Sequence, residues 1–137
     1  MKIFFDSSAF AKRYIKEAGS EEIEKYCSQA DTLIMSSICL PEIISALCRL
    51  KRQSLLTEGQ YKLAKQAFLR DVEDVSICNI TPSVINRSIH ILETSKVRTL
   101  DALHIACALE LEAEAFISSD IQQLSAAKTA GLNVFKV

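Results

Sequence analysis

The chain alternates short apolar runs with longer segments of helical periodicity, and this alternation restricts its fold more than any other feature. The apolar runs are a few residues long and nearly continuous, as expected for strands that are covered on both faces. Strands of this kind form parallel sheets. The pattern predicts strands at residues 2–5, 32–35, 75–80, 115–117 and 133–137, and helices at residues 8–16, 20–29, 40–53, 57–71, 82–95, 100–112 and 121–130.

Three local signals support the predicted helix boundaries. Thr57 and Gln60 have the spacing of a capping box, in which each side chain bonds the backbone of the other residue. Thr81 precedes a proline, which is favoured in the first turn of a helix. Gly131 follows the last predicted helix and is expected to end it.

The length and composition indicate one domain. A chain of 137 residues with a hydrophobic fraction of 49% can form its own core, and only 3 Gly and 2 Pro exclude a linker-rich or disordered chain. The turn between helices 40–53 and 57–71 is too short for a linker. We therefore predict a single domain over residues 1–137. Helices 40–53 and 57–71 are expected to form a hairpin between strands 2 and 3, packed by Leu47, Leu50, Leu63 and Phe68.

Charge and cysteine content exclude some classes of function. A balance of 16 basic and 17 acidic residues, with a pI near 6.1, excludes a strongly basic, generic nucleic-acid binder but allows a local basic patch. Five cysteines without a CxxC pair argue against a zinc site, and Cys39, Cys48 and Cys107 lie among apolar residues, as buried thiols do. His90 and His104 lie in apolar helical patterns and are interpreted as packed or surface histidines.

We expect a cytoplasmic protein with no membrane association. No run approaches the roughly 20 apolar residues that cross a bilayer. The apolar run at residues 3–5 is interrupted by Asp6 before it reaches the length of a signal-peptide core.

Four acidic residues stand where the predicted sheet would place a ligand site. Asp6 follows the first strand, and Glu42 lies in the opening turn of the helix after the second. Asp101 opens a later helix, and Asp120 follows the fourth strand. Any one of them is explained by helix capping or by the helix dipole. Four carboxylates at one edge of a sheet, however, raise one another's pKa unless a cation lies between them.

The residue types predict which cation would bind. Oxygen ligands without His or Cys suit Mg²⁺ or Mn²⁺, and one or two such ions are the usual solution for phosphate chemistry. Ser7, Ser8, Thr99 and Ser119 stand beside the acids. These hydroxyls are expected either to orient the carboxylates and hold water or, as their residue types favour, to cap helices.

The segments that carry these acids resemble a known family. They are Phe5-Asp6-Ser7-Ser8-Ala9-Phe10, Pro41-Glu42-Ile43-Ile44-Ser45-Ala46-Leu47, Arg98-Thr99-Leu100-Asp101-Ala102-Leu103-His104-Ile105-Ala106 and Ser118-Ser119-Asp120. In order and spacing the chain resembles PIN-domain ribonucleases, and most closely the VapC-like toxins of toxin–antitoxin pairs. The resemblance implies a three-layer α/β/α sandwich whose five-stranded parallel sheet has the order 3-2-1-4-5.

The resemblance also implies an activity and partners. Asp6, Glu42, Asp101 and Asp120 match the family's acidic quartet, which binds Mg²⁺ or Mn²⁺ and hydrolyses RNA. Similar toxins form homodimers and are neutralised by an antitoxin whose C-terminal segment lies across the active-site groove. The basic residues expected to contact RNA are Arg98, which is the best placed, Lys12 and Arg13.

Three alternatives remain open at the level of sequence. A receiver-like signalling domain also binds Mg²⁺ at its strand ends, but it needs an Asp directly after its third strand, where this chain has Ile80-Thr81-Pro82. A non-catalytic PIN-like binding protein would have little reason to keep four mutually repelling acids. A PIN nuclease that acts in RNA processing without an antitoxin cannot be separated from a toxin by sequence.

Overall fold

The computed structural model describes every residue from Met1 to Val137 and contains five strands. All neighbouring strands are parallel, in the order β3-β2-β1-β4-β5. The predicted fold class and strand order are confirmed. The strands are β1 (Lys2–Phe5), β2 (Thr32–Ser36), β3 (Ser76–Cys78), β4 (Ala115–Ser118) and β5 (Val134–Lys136).

This strand order excludes the receiver-like alternative. Doubly wound sheets of that type have the order 2-1-3-4-5, with the third strand in the middle of the sheet. Here β3 is an edge strand, and Asn79 follows it directly. The position at which a receiver-like domain would carry its reactive Asp is therefore neither central nor acidic.

Seven helices cover the sheet. They are α1 (Ser7–Phe10), α2 (Ser20–Gln29), α3 (Cys39–Arg52), α4 (Glu58–Val72), α5 (Pro82–Thr94), α6 (Thr99–Glu110) and α7 (Ile121–Thr129). The single helix predicted at residues 8–16 is instead α1 followed by a short 3-10 helix, Ala11–Arg13. The tighter turn allows both Phe10 and Tyr14 to pack edge-on against Phe68 of α4. None of the seven helices combines the length and the apolar character needed to span a bilayer.

The sheet separates two hydrophobic cores because successive side chains of a strand point to opposite faces. Ile3 and Phe5 of β1 face the layer formed by α1–α4, whereas Phe4 faces α5–α7. Phe4 also stacks on Phe116 of β4 with ring centroids 5.2 Å apart. Both cores are continuous with the sheet, so the molecule is a three-layer α/β/α sandwich.

The predicted capping signals are present. Thr57 and Gln60 form both hydrogen bonds of a capping box at the start of α4. Thr81 accepts a hydrogen bond from the Val84 amide, with Pro82 as the first residue of α5. Gly131 follows α7 with a φ of +100°, a left-handed conformation that glycine adopts without strain.

Both edge strands are shorter than predicted. The segment 75–80 contributes three residues to the sheet and the segment 133–137 another three. Each edge strand has only one neighbour, so fewer of its residues can pair. The Val75 amide, moreover, donates to the Val72 carbonyl in the turn that ends α4. Val75 is therefore part of that turn, and β3 begins at Ser76.

The helical hairpin is present, but only Leu47 and Phe68 of its four predicted packing residues belong to the core cluster. Leu47 of α3 and Phe68 of α4 are fully buried, whereas Leu63 is 69% exposed. The packed face of α4 follows Tyr61, Ala64, Phe68 and Val72 at intervals of three and four residues. Leu63 lies between two of these positions and projects from another face of the helix.

The cysteines behave as small apolar residues. All five are free thiols, with Cys39 and Cys107 buried and Cys48 half-buried. Burial raises the pKa of Cys39 and of Cys107 to about 12, so both remain protonated near neutral pH. This agrees with their predicted place in the core.

Candidate active site

A small polar pocket lies at the carboxyl edge of the sheet. Its volume is about 150 Å³, and no hydrophobic residue lines it. All four acids that the sequence predicted contribute to its lining. The carboxyl ends of β1 and β4 and the first turns of α3 and α6 bring together Asp6, Glu42, Asp101 and Asp120, with His104 and Gln123 beside them.

Asp6 is the most buried of the four acids. It directly follows β1 and caps α1, where its carboxylate accepts a hydrogen bond from the Ala9 amide at 2.8 Å. The hydroxyl groups of Ser8 and Ser118 donate to the same carboxylate, at 2.8 and 2.6 Å. Burial raises the pKa of Asp6, and these hydrogen bonds offset only part of the effect.

Glu42 is held by two donors at one oxygen. Ser7 Oγ donates to Glu42 Oε1 at 2.7 Å, and His104 Nε2 lies 2.5 Å from the same oxygen. Burial by itself raises the pKa of Glu42. The hydrogen bonds from His104 and Ser7 outweigh burial, so the pKa lies below its usual value and the group is a carboxylate at neutral pH.

Asp101 and Asp120 complete the acidic group. Burial raises the pKa of Asp101; the positive charge of Arg98 opposes this shift, and the negative charge of Asp120 adds to it. Asp120 caps α7, because its Oδ1 accepts hydrogen bonds from the Gln122 and Gln123 amides at 2.9 and 3.2 Å. Two of the four acids thus serve as helix caps in addition to lining the pocket.

The four hydroxyl residues expected near the acids differ in their roles. Ser7 and Ser8 donate to Glu42 and Asp6, respectively, and none of the four caps a helix with its side chain. Ser119 Oγ is buried without a hydrogen-bond partner, and its amide donates to Ser8 Oγ. Thr99 is exposed at the start of α6 and lies outside the pocket.

Three polar residues that contribute to the site were not predicted from the sequence. Ser118 bonds Asp6, and buried Gln123 contacts both Ser118 Oγ and the Asp101 carbonyl. His104, interpreted as a packed or surface histidine, is buried but also bonds Glu42. Its position three residues after Asp101 places both on one side of α6, and that spacing was the available signal.

The donor set matches a hard divalent cation by its chemistry. Four carboxylates without a thiolate, in a pocket free of apolar lining, are the ligands that Mg²⁺ and Mn²⁺ prefer. The structure contains no group of three or more His, Cys, Asp or Glu side chains whose arrangement could hold a metal ion. The residues therefore fit the ion by type, and the structure shows no preassembled cluster of ligands.

A larger groove adjoins the pocket between α1 and α3. Its volume is about 810 Å³, and it shares Ser7, Ser8, Glu42 and Arg98 with the pocket. Its wall combines apolar side chains with the cation of Arg49. A chain bound in this groove would therefore contact residues that also line the acidic pocket.

The three basic residues named from the sequence have different surroundings. Arg98 is 86% exposed beside the pocket, with Nε 3.6 Å from Asp101 Oδ2. Lys12 lines the groove, but its Nζ bonds the Ala18 carbonyl and Glu17. Arg13 bonds Glu24 and lies over the Phe10 ring, away from the pocket. Only Arg98 combines exposure with a place at the acids.

The fold and the site together define a class of protein. A parallel sheet of this order with acids at its carboxyl edge is the arrangement expected of a PIN domain, and the family model for the PIN domain matches residues 3–129. The chain belongs to the PIN-domain family.

The most similar proteins include named ribonucleases. The chain is 31% identical over 111 residues to Ribonuclease VapC45 of Mycobacterium tuberculosis (strain CDC 1551 / Oshkosh), covering 78% of this chain and 74% of that protein. It is 27% identical over 134 residues to Ribonuclease VapC46 of M. tuberculosis (strain ATCC 25618 / H37Rv), covering 96% and 95%. The predicted resemblance to VapC-like proteins is confirmed.

Solved structures share the fold at low identity. The M. tuberculosis VapC20 structure, described as a Sarcin-Ricin loop cleaving toxin, has a TM-score of 0.71 and 17% identity and covers 98% of this chain and 99% of that chain. A toxin-antitoxin complex from Klebsiella pneumoniae has a TM-score of 0.71 and 16% identity, with the same coverage.

Proposed function

We propose that this protein is a cytoplasmic, metal-dependent endoribonuclease and the toxin of a toxin–antitoxin pair. The observation that carries the proposal is the convergence of Asp6, Glu42, Asp101 and Asp120 on one pocket without apolar lining, at the carboxyl edge of a PIN-domain sheet. The relatives named Ribonuclease VapC support the same activity.

The chain's own residues supply binding and orientation. The four carboxylates would hold one or two Mg²⁺ or Mn²⁺ ions, and the hydroxyl groups of Ser7, Ser8 and Ser118 donate hydrogen bonds to the carboxylates of Glu42 and Asp6. When bound, such an ion lowers the pKa of water and stabilises negative charge on the phosphoryl oxygens. The polar lining keeps the pocket accessible to the water that hydrolysis consumes.

RNA is held in the adjoining groove. The cations of Arg98 and Arg49 attract the phosphate backbone, and the apolar wall can accept unstacked bases of a single-stranded segment. Lys12, although bonded within the protein, lines the same groove, and Arg13 lies farther away. The scissile phosphate is then placed between Arg98 and the acids.

Cleavage of total cellular RNA by the purified protein tests the proposal. Incubation in Mg²⁺ or Mn²⁺ should produce discrete fragments, and EDTA should prevent them. Mapping the fragment ends then identifies the target RNA. Intact RNA under both metals would contradict the proposed activity, and fragments that persist in EDTA would contradict its metal dependence.

Replacing Arg98 with alanine should weaken RNA binding about 10-fold, because one charge-assisted contact to phosphate is lost. The salt dependence of binding should become shallower by roughly one phosphate contact. Fluorescence anisotropy with a labelled single-stranded RNA measures both effects. Arg70→Ala, on the exposed side of α4, is the matched control and should bind as wild type does. Equal affinity of the two variants would remove Arg98 from the RNA site.

The proposed antitoxin competes for the same groove. Carboxylates without their metal attract a guanidinium, so an arginine in the antitoxin's C-terminal segment would occupy the acidic pocket. A short open reading frame beside this gene identifies the candidate partner, and its co-expression should restore growth to cells that produce the nuclease. If no neighbouring product suppresses toxicity, a nuclease of RNA processing without an antitoxin becomes the better proposal.

We also propose a homodimer that uses an exposed apolar stripe on α5. Ile85, Ile89 and Leu92 are exposed at spacings of four and three residues, which places them on one face of the helix. Light scattering should give a mass about twice the 15.2 kDa of one chain. Ile89→Glu should yield a folded monomer, because a charge at the centre of the stripe cannot be buried without a partner. A monomeric wild-type protein, or a dimeric variant, would contradict this interface.

A further inference from the structure

Packing alone does not explain one side chain of the pocket. The His104 side chain is 3% exposed, with Nε2 2.5 Å from Glu42 Oε1 and 3.4 Å from Ser7 Oγ. Its Nδ1 is buried and has no hydrogen-bond partner. A buried polar atom without a partner is unfavourable, and a leucine at this place would avoid the penalty. The imidazole therefore points to a use other than filling the core.

The hydrogen bonds leave one oxygen of Glu42 free. An ionised carboxylate only accepts, so His104 Nε2 and Ser7 Oγ both carry the hydrogens that bond Glu42 Oε1. No hydrogen bond reaches Oε2. Ser7 of α1 and His104 of α6 thus both bond Oε1 of Glu42, while Oε2 remains available to a cation.

We propose that His104 is a positioning residue that holds Glu42 so that its Oε2 can bind the divalent cation. This inference rests on the proposed function, because it assumes that the four acids bind a metal. Helix α6 then contributes to the site twice. It carries Asp101 and, three residues later, His104, which orients Glu42 of α3. Hydrogen-bond partners of metal ligands typically contribute 10- to 100-fold to metal affinity.

Calorimetric titration of Mn²⁺ into the wild-type protein and into His104→Leu tests the inference without RNA. The dissociation constant for Mn²⁺ should rise about 10- to 100-fold in the variant. Its metal-free unfolding temperature should equal or exceed that of wild type, because the unpartnered Nδ1 is removed. His104→Gln, whose amide can donate to Oε1, should recover most of the affinity.

His90→Leu is the matched control, since His90 is exposed on α5 outside the pocket, and it should bind Mn²⁺ as wild type does. Wild-type affinity in His104→Leu would overturn the positioning role. Loss of affinity in both His104 variants, together with lower unfolding temperatures, would also overturn it and show that the histidine is structural. A wild-type protein that binds no Mn²⁺ would instead refute the proposed function itself.

Discussion

Asp101→Asn is expected to abolish RNA cleavage while leaving the protein folded. Loss of a group that merely orients a metal ligand costs about 10- to 100-fold, so loss of a ligand itself should reduce the rate by about 100-fold or more. An amide keeps the shape of the side chain but offers a weaker oxygen donor. Gel analysis of total RNA in Mn²⁺, with the variant purified in parallel, measures the loss and exposes any contaminating nuclease.

The fold should tolerate this change because the folded protein disfavours the Asp101 charge. Burial and Asp120 raise the pKa of Asp101, so the folded state binds the proton more tightly than the unfolded state does. Protonation of Asp101 therefore stabilises the folded state at low pH, and this contribution is lost as the pH rises through the raised pKa. At neutral pH in metal-free buffer, Asp101→Asn should therefore unfold at the wild-type temperature or above it.

Asp74→Asn provides the matched control for Asp101. Asp74 is exposed in the turn before β3, at the edge of the sheet opposite to the pocket. This variant should cleave RNA as wild type does. If Asp101→Asn cleaves RNA as wild type does, Asp101 is not part of the catalytic site. If circular dichroism shows that the variant is misfolded, the expected tolerance of the fold is wrong.

Leu47→Ala should lower the free energy of unfolding by about 2–5 kcal/mol, the usual cost of emptying a fully buried leucine site. Leu47 of α3 has no exposed surface, and it belongs to the same core as Phe68. Leu63→Ala, the same substitution on the partner helix of the hairpin, should change stability by only about 0.5 kcal/mol or less. Urea denaturation followed by circular dichroism measures both values.

The contrast between these two leucines tests the corrected packing of the hairpin. Equal destabilisation by both substitutions would mean that Leu63 is buried in solution, against the 69% exposure in the structure. Because Leu47 and Glu42 share α3, Leu47→Ala should also reduce cleavage near its lowered unfolding temperature, whereas Leu63→Ala should not.

Sequence reasoning succeeded where a signal is local or repeats with a regular period. Continuous apolar runs indicated buried parallel strands, and the Thr57–Gln60 capping box placed the start of α4. The placement of the acids followed from topology, because the carboxyl ends of parallel strands meet at one edge. The common pocket of Asp6 and Asp101, far apart in the chain, was therefore predictable.

Sequence reasoning failed where the outcome depends on contacts between distant segments. The role of Ser118 depends on its pairing with Asp6, 112 residues earlier. His104 has the surroundings of a core residue in sequence, and only the approach of α3 brings Glu42 to its Nε2. Lys12 likewise carries no sequence signal for its bond to the Ala18 carbonyl. Such contacts arise from tertiary packing, which periodicity does not specify.

An anomalous-scattering map from a crystal of the wild-type protein soaked in Mn²⁺ tests most directly whether the four carboxylates at the carboxyl edge of the sheet form the divalent-cation site of a nuclease. We expect one or two Mn²⁺ peaks in contact with carboxylate oxygens of Asp6, Glu42, Asp101 and Asp120. A fully soaked crystal with no peak between these residues, or with Mn²⁺ bound only elsewhere, would contradict the account.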